Sequence, residues 1–156
     1  MKSYVIRWSG PYTDDNYPLN KGGLYLITGF KRYDRIRDIQ YIGITEKDFA
    51  QRLKNHHKKN YVTKDRLFWF GEIDADYKLK RKDLELVESL LIYFWDSPLN
   101  EKKRIYPPKE TCIAINRWCK PNGELRKRMT HEGQQLHDVI MWDGEQWHLS
   151  KSLRIV

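Results

Sequence analysis

Glu88 occupies a position in the sequence where a carboxylate needs an explanation. At about 100° per residue it falls in the middle of the apolar face of a helix expected over 80–95, between Leu84, Leu91, Ile92 and Trp95. A carboxylate buried there without a partner would be strongly unfavourable. Two interpretations stay open: an ion pair with an arginine or lysine of the sheet, or a ligand for Mg²⁺, which needs only one or two carboxylates besides waters and phosphate oxygens.

Two tyrosines lie in neighbouring β-rich runs, Tyr25 in GLYLIT (23–28) and Tyr41 in DIQYIGI (38–44). Because successive side chains of a strand point to opposite faces, both tyrosines can share one surface of a hairpin formed by the two runs. Gly43, on the same face as Tyr41, would let another group approach the backbone closely. Strand tyrosines are more often simple packing residues, so neither one alone indicates a site.

A helix over about 46–59 is predicted directly after this hairpin, because Thr45 is followed three residues later by Asp48 in a capping-box pattern. Arg52 and His56 are four residues apart, so both would lean toward the surface that the helix covers, and the hairpin is the expected surface. His57 would lie on the other side of the same helical face. Alone, each of these residues is more often an ordinary surface residue.

Together these side chains would supply phenol hydroxyls, a guanidinium, an imidazole and a carboxylate from two strands and two helices. That combination suits hydrolysis of a phosphodiester. A metal ion and an arginine offset the negative charge that grows on the phosphate oxygens, and a phenol or imidazole can take the proton of an attacking water. The sequence contains no glycine-rich phosphate loop that would favour a different phosphate chemistry.

The elements that must position these groups follow from the hydrophobic pattern. Besides the hairpin and the two helices, we predict strands at 3–8, 66–73 and 111–119, an irregular loop at 9–22, and a hairpin at 137–150 with Asp143-Gly144 at its turn. We interpret 1–156 as a single domain. Its expected parts are an N-terminal strand and loop (1–22), a core (23–100), whose bounds follow from the family resemblance given below, and a β-rich extension (101–156), expected as a possible DNA-contacting region.

The charge of the chain favours an anionic partner. The formal net charge is +8 and the sequence pI is about 9.4, a combination most often associated with nucleic acid. Basic residues cluster with aromatic ones at Lys31-Arg32-Tyr33, at 54–61 and at 117–128. Because basic surfaces also occur on proteins that bind no nucleic acid, the charge is informative only together with the site.

Length and composition narrow the class of protein further. A chain of 156 residues suits one domain with a core. It has no apolar run near the ~18 residues of a membrane span, and its N-terminus lacks the apolar core of a signal peptide, so we expect a cytoplasmic protein. Cys112 and Cys119 lack the spacing of metal ligands and are expected to be reduced thiols.

Two short motifs carry a family resemblance. Gly23-Leu24-Tyr25 matches the first triplet of the GIY-YIG nuclease family with Leu in place of Ile, and Tyr41-Ile42-Gly43 matches the second triplet unchanged. The family's helix arginine, frequent histidine, metal-binding glutamate and following asparagine correspond to Arg52, His56, Glu88 and Asn100. The chain therefore resembles this family over about residues 23–100.

The resemblance implies an α/β (α+β) fold with a small three-stranded antiparallel sheet flanked by helices. It also implies hydrolysis with a single Mg²⁺ or Mn²⁺ on Glu88, leaving 5′-phosphate and 3′-hydroxyl ends. By the same resemblance Tyr25 is the expected general base, although the proton acceptor differs among proposals for family members. Tyr41 and His56 would position water or phosphate, and Arg52 would stabilise the transition state.

Four further residues are expected to bind substrate or support the site, of which Asn100 follows from the resemblance. They are Gly43, His57, Lys58 and Asn100, with His57 as an alternative to His56. The expected function is a metal-dependent DNA endonuclease of a restriction-like, repair or phage and mobile-element type, acting as a monomer or homodimer. Two alternatives remain: a nucleic-acid-binding module of the same fold that does not cut, and a nuclease acting on RNA.

Overall fold

The computed structural model describes residues 1–18 and 21–150. Parts of the predicted loop 9–22 and of the predicted extension 101–156 therefore lie outside the described residues. The described chain contains the strands β1 (Lys2–Tyr12), β2 (Gly23–Lys31), β3 (Asp38–Thr45), β4 (Val62–Asp74), β5 (Cys112–Cys119), β6 (Val139–Trp142) and β7 (Trp147–Ser150). Its helices are α1 (Phe49–Lys54), α2 (Arg81–Trp95) and α3 (His131–Leu136), with a 3₁₀ segment at His57–Tyr61.

These strands form one mixed sheet in the order β3-β2-β4-β1-β5-β6-β7. β1 and β5 are parallel, with Lys2 opposite Cys112, whereas the other neighbouring pairs are antiparallel. The fold belongs to the α+β class, but the predicted small three-stranded sheet is wrong. The three expected strands, β3, β2 and β4, are only one end of a seven-stranded sheet.

Long-range pairing explains this correction. β4 is 13 residues long, and as an edge strand it would expose a long row of unpaired backbone N–H and C=O groups. β1 pairs along that edge, and its own free edge pairs with β5, which comes near the end of the chain. The hydrophobic pattern of a segment predicts that it forms a strand but does not predict which strand it will pair with.

The two faces of the sheet carry separate buried clusters. On one face, Val87 and Leu91 of α2 are fully buried in a cluster with strand residues such as Leu24. On the other face, Phe49 and Leu53 of α1 are buried in a second cluster that includes Tyr25, Ile27 and Phe70. The end of the sheet formed by β2 and β3 thus has α1 on one face and α2 on the other, and side chains of both helices can meet at the β3 edge.

Helix α1 is shorter than the helix predicted over 46–59. Its N-cap is Asp48, whose carboxylate accepts a hydrogen bond from the Ala50 N–H at 2.8 Å. Thr45, the predicted cap, is the last residue of β3 and so lies outside the helix. The helix ends at Lys54, and the chain continues into the 3₁₀ segment.

The C-terminal strand and hairpin predictions are confirmed. β5 lies within the predicted strand 111–119, and β6 and β7 form the predicted antiparallel hairpin. At its turn, the Asp143 carboxylate accepts hydrogen bonds from the backbone N–H groups of Glu145 and Gln146. These strands are not an extension packed on a separate sheet, because they continue the same sheet. Helix α3 was not predicted.

Two further expectations concern the cysteines and the membrane. Cys112 and Cys119 are buried free thiols on β5, and burial raises the pKa of Cys112 to about 11. Across residues 1–18 and 21–150, none of the helices combines the length and apolar character that crossing a membrane requires.

Candidate active site

The two triplets pair directly with each other across β2 and β3. Tyr25 is opposite Gly43, and Ile27 is opposite Tyr41. A Cβ atom added to Gly43 would overlap the terminal ring atoms and the hydroxyl of Tyr25. Glycine is required at position 43 because the Tyr25 ring occupies the space of a side chain. The close approach expected at Gly43 is therefore made by the protein's own tyrosine.

Tyr25 and Tyr41 lie next to each other, as predicted. Their rings are stacked, with centroids 6.0 Å apart. Their exposures differ, because Tyr25 has no exposed surface whereas Tyr41 is only half-buried. Of these two tyrosines, only Tyr41 lines the cleft described next.

A cleft of about 840 Å³ lies beside Tyr41, lined by residues of α1, of α2 and of the chain at 99–103. Seven of the nine predicted site residues line it: Tyr41, Arg52, His56, His57, Lys58, Glu88 and Asn100. The other two predicted residues, Tyr25 and Gly43, do not line it. The fold therefore brings most of the predicted side chains to one solvent-accessible place.

Arg52 and His56 both hydrogen-bond to the hydroxyl of Tyr25. The Arg52 Nε–H donates to Tyr25 Oη at 3.3 Å, and His56 Nε2 lies 3.0 Å from the same oxygen. His56 lies beyond the end of α1 and caps the 3₁₀ segment, its Nδ1 accepting the Lys58 N–H at 3.2 Å. Because Nδ1 is an acceptor, a neutral His56 carries its hydrogen on Nε2 and donates it to Tyr25.

Burial shifts the acid–base properties of these groups. It raises the pKa of Tyr25 well above the ordinary phenol value, Tyr41 adds to the increase, and Arg52 opposes it. Burial also raises the pKa of Tyr41, against the lowering effects of Arg52 and of a hydrogen bond from Tyr25. Burial lowers the pKa of His56 to about 4, and the charge of Arg52 acts in the same direction. At neutral pH both phenols are therefore protonated and His56 is neutral.

Glu88 lies at the side of the cleft formed by α2 and is paired with a lysine. Its side chain is 14% exposed, and its Oε1 lies 2.5 Å from Nζ of Lys103. An ion pair was one of the two interpretations of Glu88, but its partner comes from the loop after α2 and not from the sheet. Because the carboxylate lines a cleft, the ion pair leaves the metal-ligand interpretation open.

Asn100 holds the second triplet in place. Its side chain makes two hydrogen bonds with the backbone of Ile42, accepting the N–H and donating to the C=O, each at 2.9 Å. Its Oδ1 also accepts a hydrogen bond from the hydroxyl of Ser97. Asn100 is only 6% exposed, so its observed contacts are those of a residue that positions β3 against the end of α2.

His57 and Lys58 lie at the rim of the cleft on the side of the 3₁₀ segment. His57 is exposed and its ring stacks on that of His56, with centroids 5.9 Å apart. The Lys58 ammonium lies 2.5 Å from a carboxylate oxygen of Glu101. A hydrogen bond from Lys58, reinforced by its charge, lowers the pKa of Glu101. The Lys58–Glu101 pair therefore connects the loop after Asn100 to the 3₁₀ segment, and the Lys103–Glu88 pair connects the same loop to α2.

The residues of the cleft suit a divalent cation bound with few protein ligands. Within 1–18 and 21–150 there is no group of three or more His, Cys, Asp or Glu side chains arranged to enclose a metal. Glu88 supplies a carboxylate whose charge raises the pKa of both Tyr25 and Tyr41. Mg²⁺ is commonly bound by one or two carboxylates together with waters and substrate phosphates, and this donor set fits that pattern.

A comparison with family models identifies the family of this chain. The family model of the GIY-YIG catalytic domain matches residues 21–104, and the chain belongs to this family. The family is one of endonucleases that act on DNA and generally depend on a divalent metal. The resemblance predicted over about 23–100 is thus confirmed. Searches of curated proteins and of solved structures gave no significant match.

Two residues at the cleft were missed by the sequence analysis. Lys103 pairs with Glu88, and Glu101 pairs with Lys58. Both lie in the charged run EKKR that follows Asn100. In the sequence, these residues are marked only by the concentration of charge next to Asn100. A run of charged residues does not indicate which side chain faces the cleft.

Proposed function

We propose that this protein is a divalent-metal-dependent endonuclease that hydrolyses phosphodiester bonds of DNA. The observation that supports this proposal most directly is a single open cleft lined by Tyr41, Arg52, His56 and Glu88. A carboxylate, a guanidinium and a phenol beside one solvated space can together neutralise a phosphate and accept a proton. The products would carry 5′-phosphate and 3′-hydroxyl ends, by analogy with the family.

Arg52 is the proposed ligand of the scissile phosphate. Its side chain lines the cleft, and its guanidinium can bind a non-bridging phosphate oxygen while its Nε–H stays hydrogen-bonded to Tyr25. A fixed positive charge at that oxygen stabilises the extra negative charge of the transition state. Removing this interaction should therefore slow the chemical step more than it weakens binding.

Tyr41 is the proposed proton acceptor, in place of Tyr25. A water in the cleft can contact the half-buried Tyr41, whereas Tyr25 has no exposed surface. Tyr25 would act through Tyr41: it receives hydrogen bonds from His56 and Arg52, and a hydrogen bond from Tyr25 lowers the pKa of Tyr41. This arrangement orients the Tyr41 hydroxyl and stabilises it once its proton has been lost.

Glu88 is the proposed ligand of Mg²⁺ or Mn²⁺, with waters and phosphate oxygens completing the coordination. When bound, the cation would supply positive charge beside the phosphate and Tyr41, which lowers the pKa of that phenol and stabilises the leaving oxygen. In the protein alone the ammonium of Lys103 supplies the positive charge beside the Glu88 carboxylate.

Two alternative functions are a module that binds nucleic acid without cutting it and a nuclease that acts on RNA. A module that binds nucleic acid without cutting it has no need of a carboxylate beside the phosphates, where it would repel them. A nuclease acting on RNA would use the same groups, and the cleft residues do not distinguish the two sugars. The choice between these functions therefore depends on activity and not on the cleft alone.

Supercoiled plasmid tests the proposal directly. Purified protein with Mg²⁺ should convert the plasmid to nicked circles, and EDTA should abolish the reaction. Glu88→Gln should also abolish it while lowering the thermal stability by no more than the ion pair with Lys103 contributes, since a neutral amide of the same shape keeps the packing. The matched control is Glu85→Gln on the same helix, because Glu85 is exposed and paired with Arg81.

Three outcomes would change the proposal. If the plasmid is retarded in a gel yet stays uncut with Mg²⁺ and Mn²⁺, the protein is a binding module. If labelled RNA is cut and plasmid is not, the substrate class is RNA. If Glu88→Gln unfolds the protein while Glu85→Gln does not, Glu88 serves an essential structural ion pair. Linear product formed in a single event would indicate a dimer, and nicked product a monomer.

A further inference from the structure

We propose that DNA flanking the scissile bond binds to a basic surface that runs from the cleft to the tip of the β2–β3 hairpin. This surface, named the basic flank, consists of residues 30–37 and 57–66. The inference rests on the proposed function, since it concerns the same substrate at a position outside the cleft. It extends the substrate contact from the cleft to the tip of the hairpin.

The sheet brings the two segments of the basic flank together. Residues 30–37 form the end of β2 and the connection to β3, and 57–66 form the 3₁₀ segment and the start of β4. β2 and β4 pair here, with Phe30 opposite Lys64 and Lys31 opposite Val62. Lys64 Nζ lies 5.1 Å from the centre of the Phe30 ring. Because Lys58 lines the cleft, the basic flank begins at the cleft itself.

Most of the net charge of the protein lies on the basic flank. Each of the two segments contains four basic residues and one acidic residue, so each contributes +3 and together they contribute +6. The whole chain has a net charge of +8, which leaves +2 for all other residues. One of the two acids, Asp34, is paired with Lys31 at 3.3 Å. Arg37, Lys58 and Arg66 pair with acids outside the two segments, Glu132, Glu101 and Asp14, which reduces the excess on this surface to +3. A surface that keeps an excess of positive charge attracts a polyanion.

The tip of the hairpin exposes an aromatic and an aliphatic side chain among these charges. Tyr33 is 86% exposed and Ile36 is 73% exposed. The guanidinium of Arg32 lies over the Tyr33 ring, 5.0 Å from its centre. Tyr33 has a φ of 72°, a left-handed conformation that residues other than glycine rarely adopt. Large apolar side chains held outward in this way fit a partner surface better than they fit water.

A hydrogen-bond network holds this tip in one conformation. The Asp34 carboxylate accepts the Lys31 N–H at 2.9 Å and the side-chain amide of Gln40 at 2.9 Å. The same amide donates to the Gly29 C=O, and Gln40 is fully buried. The tip is therefore preorganised by the protein interior, which reduces the entropy lost when it binds a partner.

The chemistry of the basic flank matches the backbone and groove of duplex DNA. Arginine and lysine neutralise phosphates, and exposed apolar side chains contact sugars or base edges. Along β3 the three residue-to-residue steps from Asp38 to Tyr41 span roughly 10 Å at ~3.3 Å each. For a duplex that lies along β3, this distance corresponds to about three base pairs at ~3.4 Å each. The tip would therefore contact DNA at least about three base pairs from the scissile bond.

The third basic cluster of the sequence, 117–128, has a different role. None of its residues lines the cleft. Arg126 is half-buried, donates to the Gly10 C=O at 2.6 Å and lies over the Trp69 ring at 5.5 Å, so its charge is used within the fold. Lys127 and Arg128 are exposed. They provide a control pair of equal charge that lies outside the proposed DNA path.

Binding of a duplex by non-cutting protein tests the inference. In a Glu88→Gln background with Mg²⁺, the affinity for a labelled duplex of about 30 base pairs is measured between about 50 and 200 mM salt. Arg32→Ala/Arg35→Ala should weaken binding at least tenfold and reduce the salt slope by about 2, since each lost phosphate contact removes ~0.9. Tyr33→Ser should weaken binding several-fold without changing the slope. Lys127→Ala/Arg128→Ala should bind within twofold of its parent.

Equal weakening by the two double variants would overturn the inference, because it would indicate a general effect of net charge. If an RNA duplex binds more tightly than a DNA duplex, DNA is not the partner of the basic flank. Thermal unfolding of each variant separates lost contacts from lost folding. Failure of the inference is distinct from failure of the proposed function: wild-type nicking that depends on Glu88 would persist in the first case and be absent in the second.

Discussion

The ammonium of Lys103 lies 2.5 Å from a carboxylate oxygen of Glu88, so a residue of the loop after Asn100 neutralises the carboxylate proposed to bind metal. Lys103 has a φ of 68°, in the left-handed region that residues other than glycine seldom adopt. The loop thus holds this ammonium beside Glu88 at a conformational cost. A cation that binds Glu88 must compete with Lys103. Replacing this lysine should therefore change both the affinity for the metal and the stability of the fold.

Replacing Lys103 by methionine should tighten metal binding. The competing charge is lost while the bulk of the side chain is kept. A partly buried ion pair contributes on the order of 1 kcal/mol, so the Mg²⁺ concentration at half-saturation should fall by up to about tenfold. Metal-dependent stabilisation in a thermal shift titration measures this midpoint. Without metal, Lys103→Met should melt at a lower temperature than the wild type.

Lys102→Met is the matched control for this titration, because Lys102 also lines the cleft and carries the same charge. It should change the midpoint by less than about twofold, since its effect acts only through long-range electrostatics. Equal midpoints for Lys103→Met, Lys102→Met and the wild type would show that Lys103 does not compete with the metal.

Gly43→Ala should destabilise the fold as well as impair activity. The added methyl group would overlap the ring of Tyr25, which has no exposed surface. Overpacking of this kind costs about 1–3 kcal/mol, measurable by urea denaturation. In a double-mutant cycle, Tyr25→Leu should recover part of the loss, and strictly additive effects would argue against a direct clash.

The two tyrosines should respond differently to loss of the hydroxyl. Tyr41→Phe should reduce kcat by about 10²–10⁴ with little change in stability, because Tyr41 is half-buried and lines the cleft. Tyr25→Phe should also lose activity and, in addition, about 1–3 kcal/mol of stability, since the donors of Arg52 and His56 lose their acceptor. Nicking rates and urea denaturation measure the two effects. A Tyr41→Phe enzyme of nearly wild-type activity would return the role of base to Tyr25.

The stability of the protein should fall between pH 6.5 and 4 because of His56. Burial lowers its pKa from the ordinary 6.5 to about 4 in the folded state. Over that range the unfolded chain binds the proton more strongly, so the free energy of unfolding decreases as the pH falls. The contribution is present in full above pH 6.5 and amounts to about 3 kcal/mol at most.

His56→Gln isolates this contribution from that of the carboxylates. Its amide can still donate to Tyr25 but does not titrate, so its free energy of unfolding should depend less on pH than that of the wild type between pH 6.5 and 4. His57→Gln, at the exposed neighbouring position, should follow the wild-type curve. Parallel curves for His56→Gln and the wild type would mean that His56 is not buried as a neutral base.

The proximity of the tyrosines and the position of α2 were predictable because they depend on local periodicity. Alternation along 23–28 and 38–44 placed Tyr25 and Tyr41 on one surface, and the helical pattern placed Glu88 on the inner side of α2. The start of α1 was mispredicted because the N-cap residue depends on where β3 stops. Thr45 still pairs with Gly23, so the first residue free to cap is Asp48.

The sequence alone determined the chemical groups, their order along the chain and the family to which they belong. Only the tertiary structure decided that Tyr25 is covered while Tyr41 meets the cleft, that Lys103 neutralises Glu88, and that β1 joins β4 to β5 in one sheet. These features result from contacts between segments far apart in the chain. Spacing and periodicity report only on neighbours within a strand or helix, so they contain no information about such contacts.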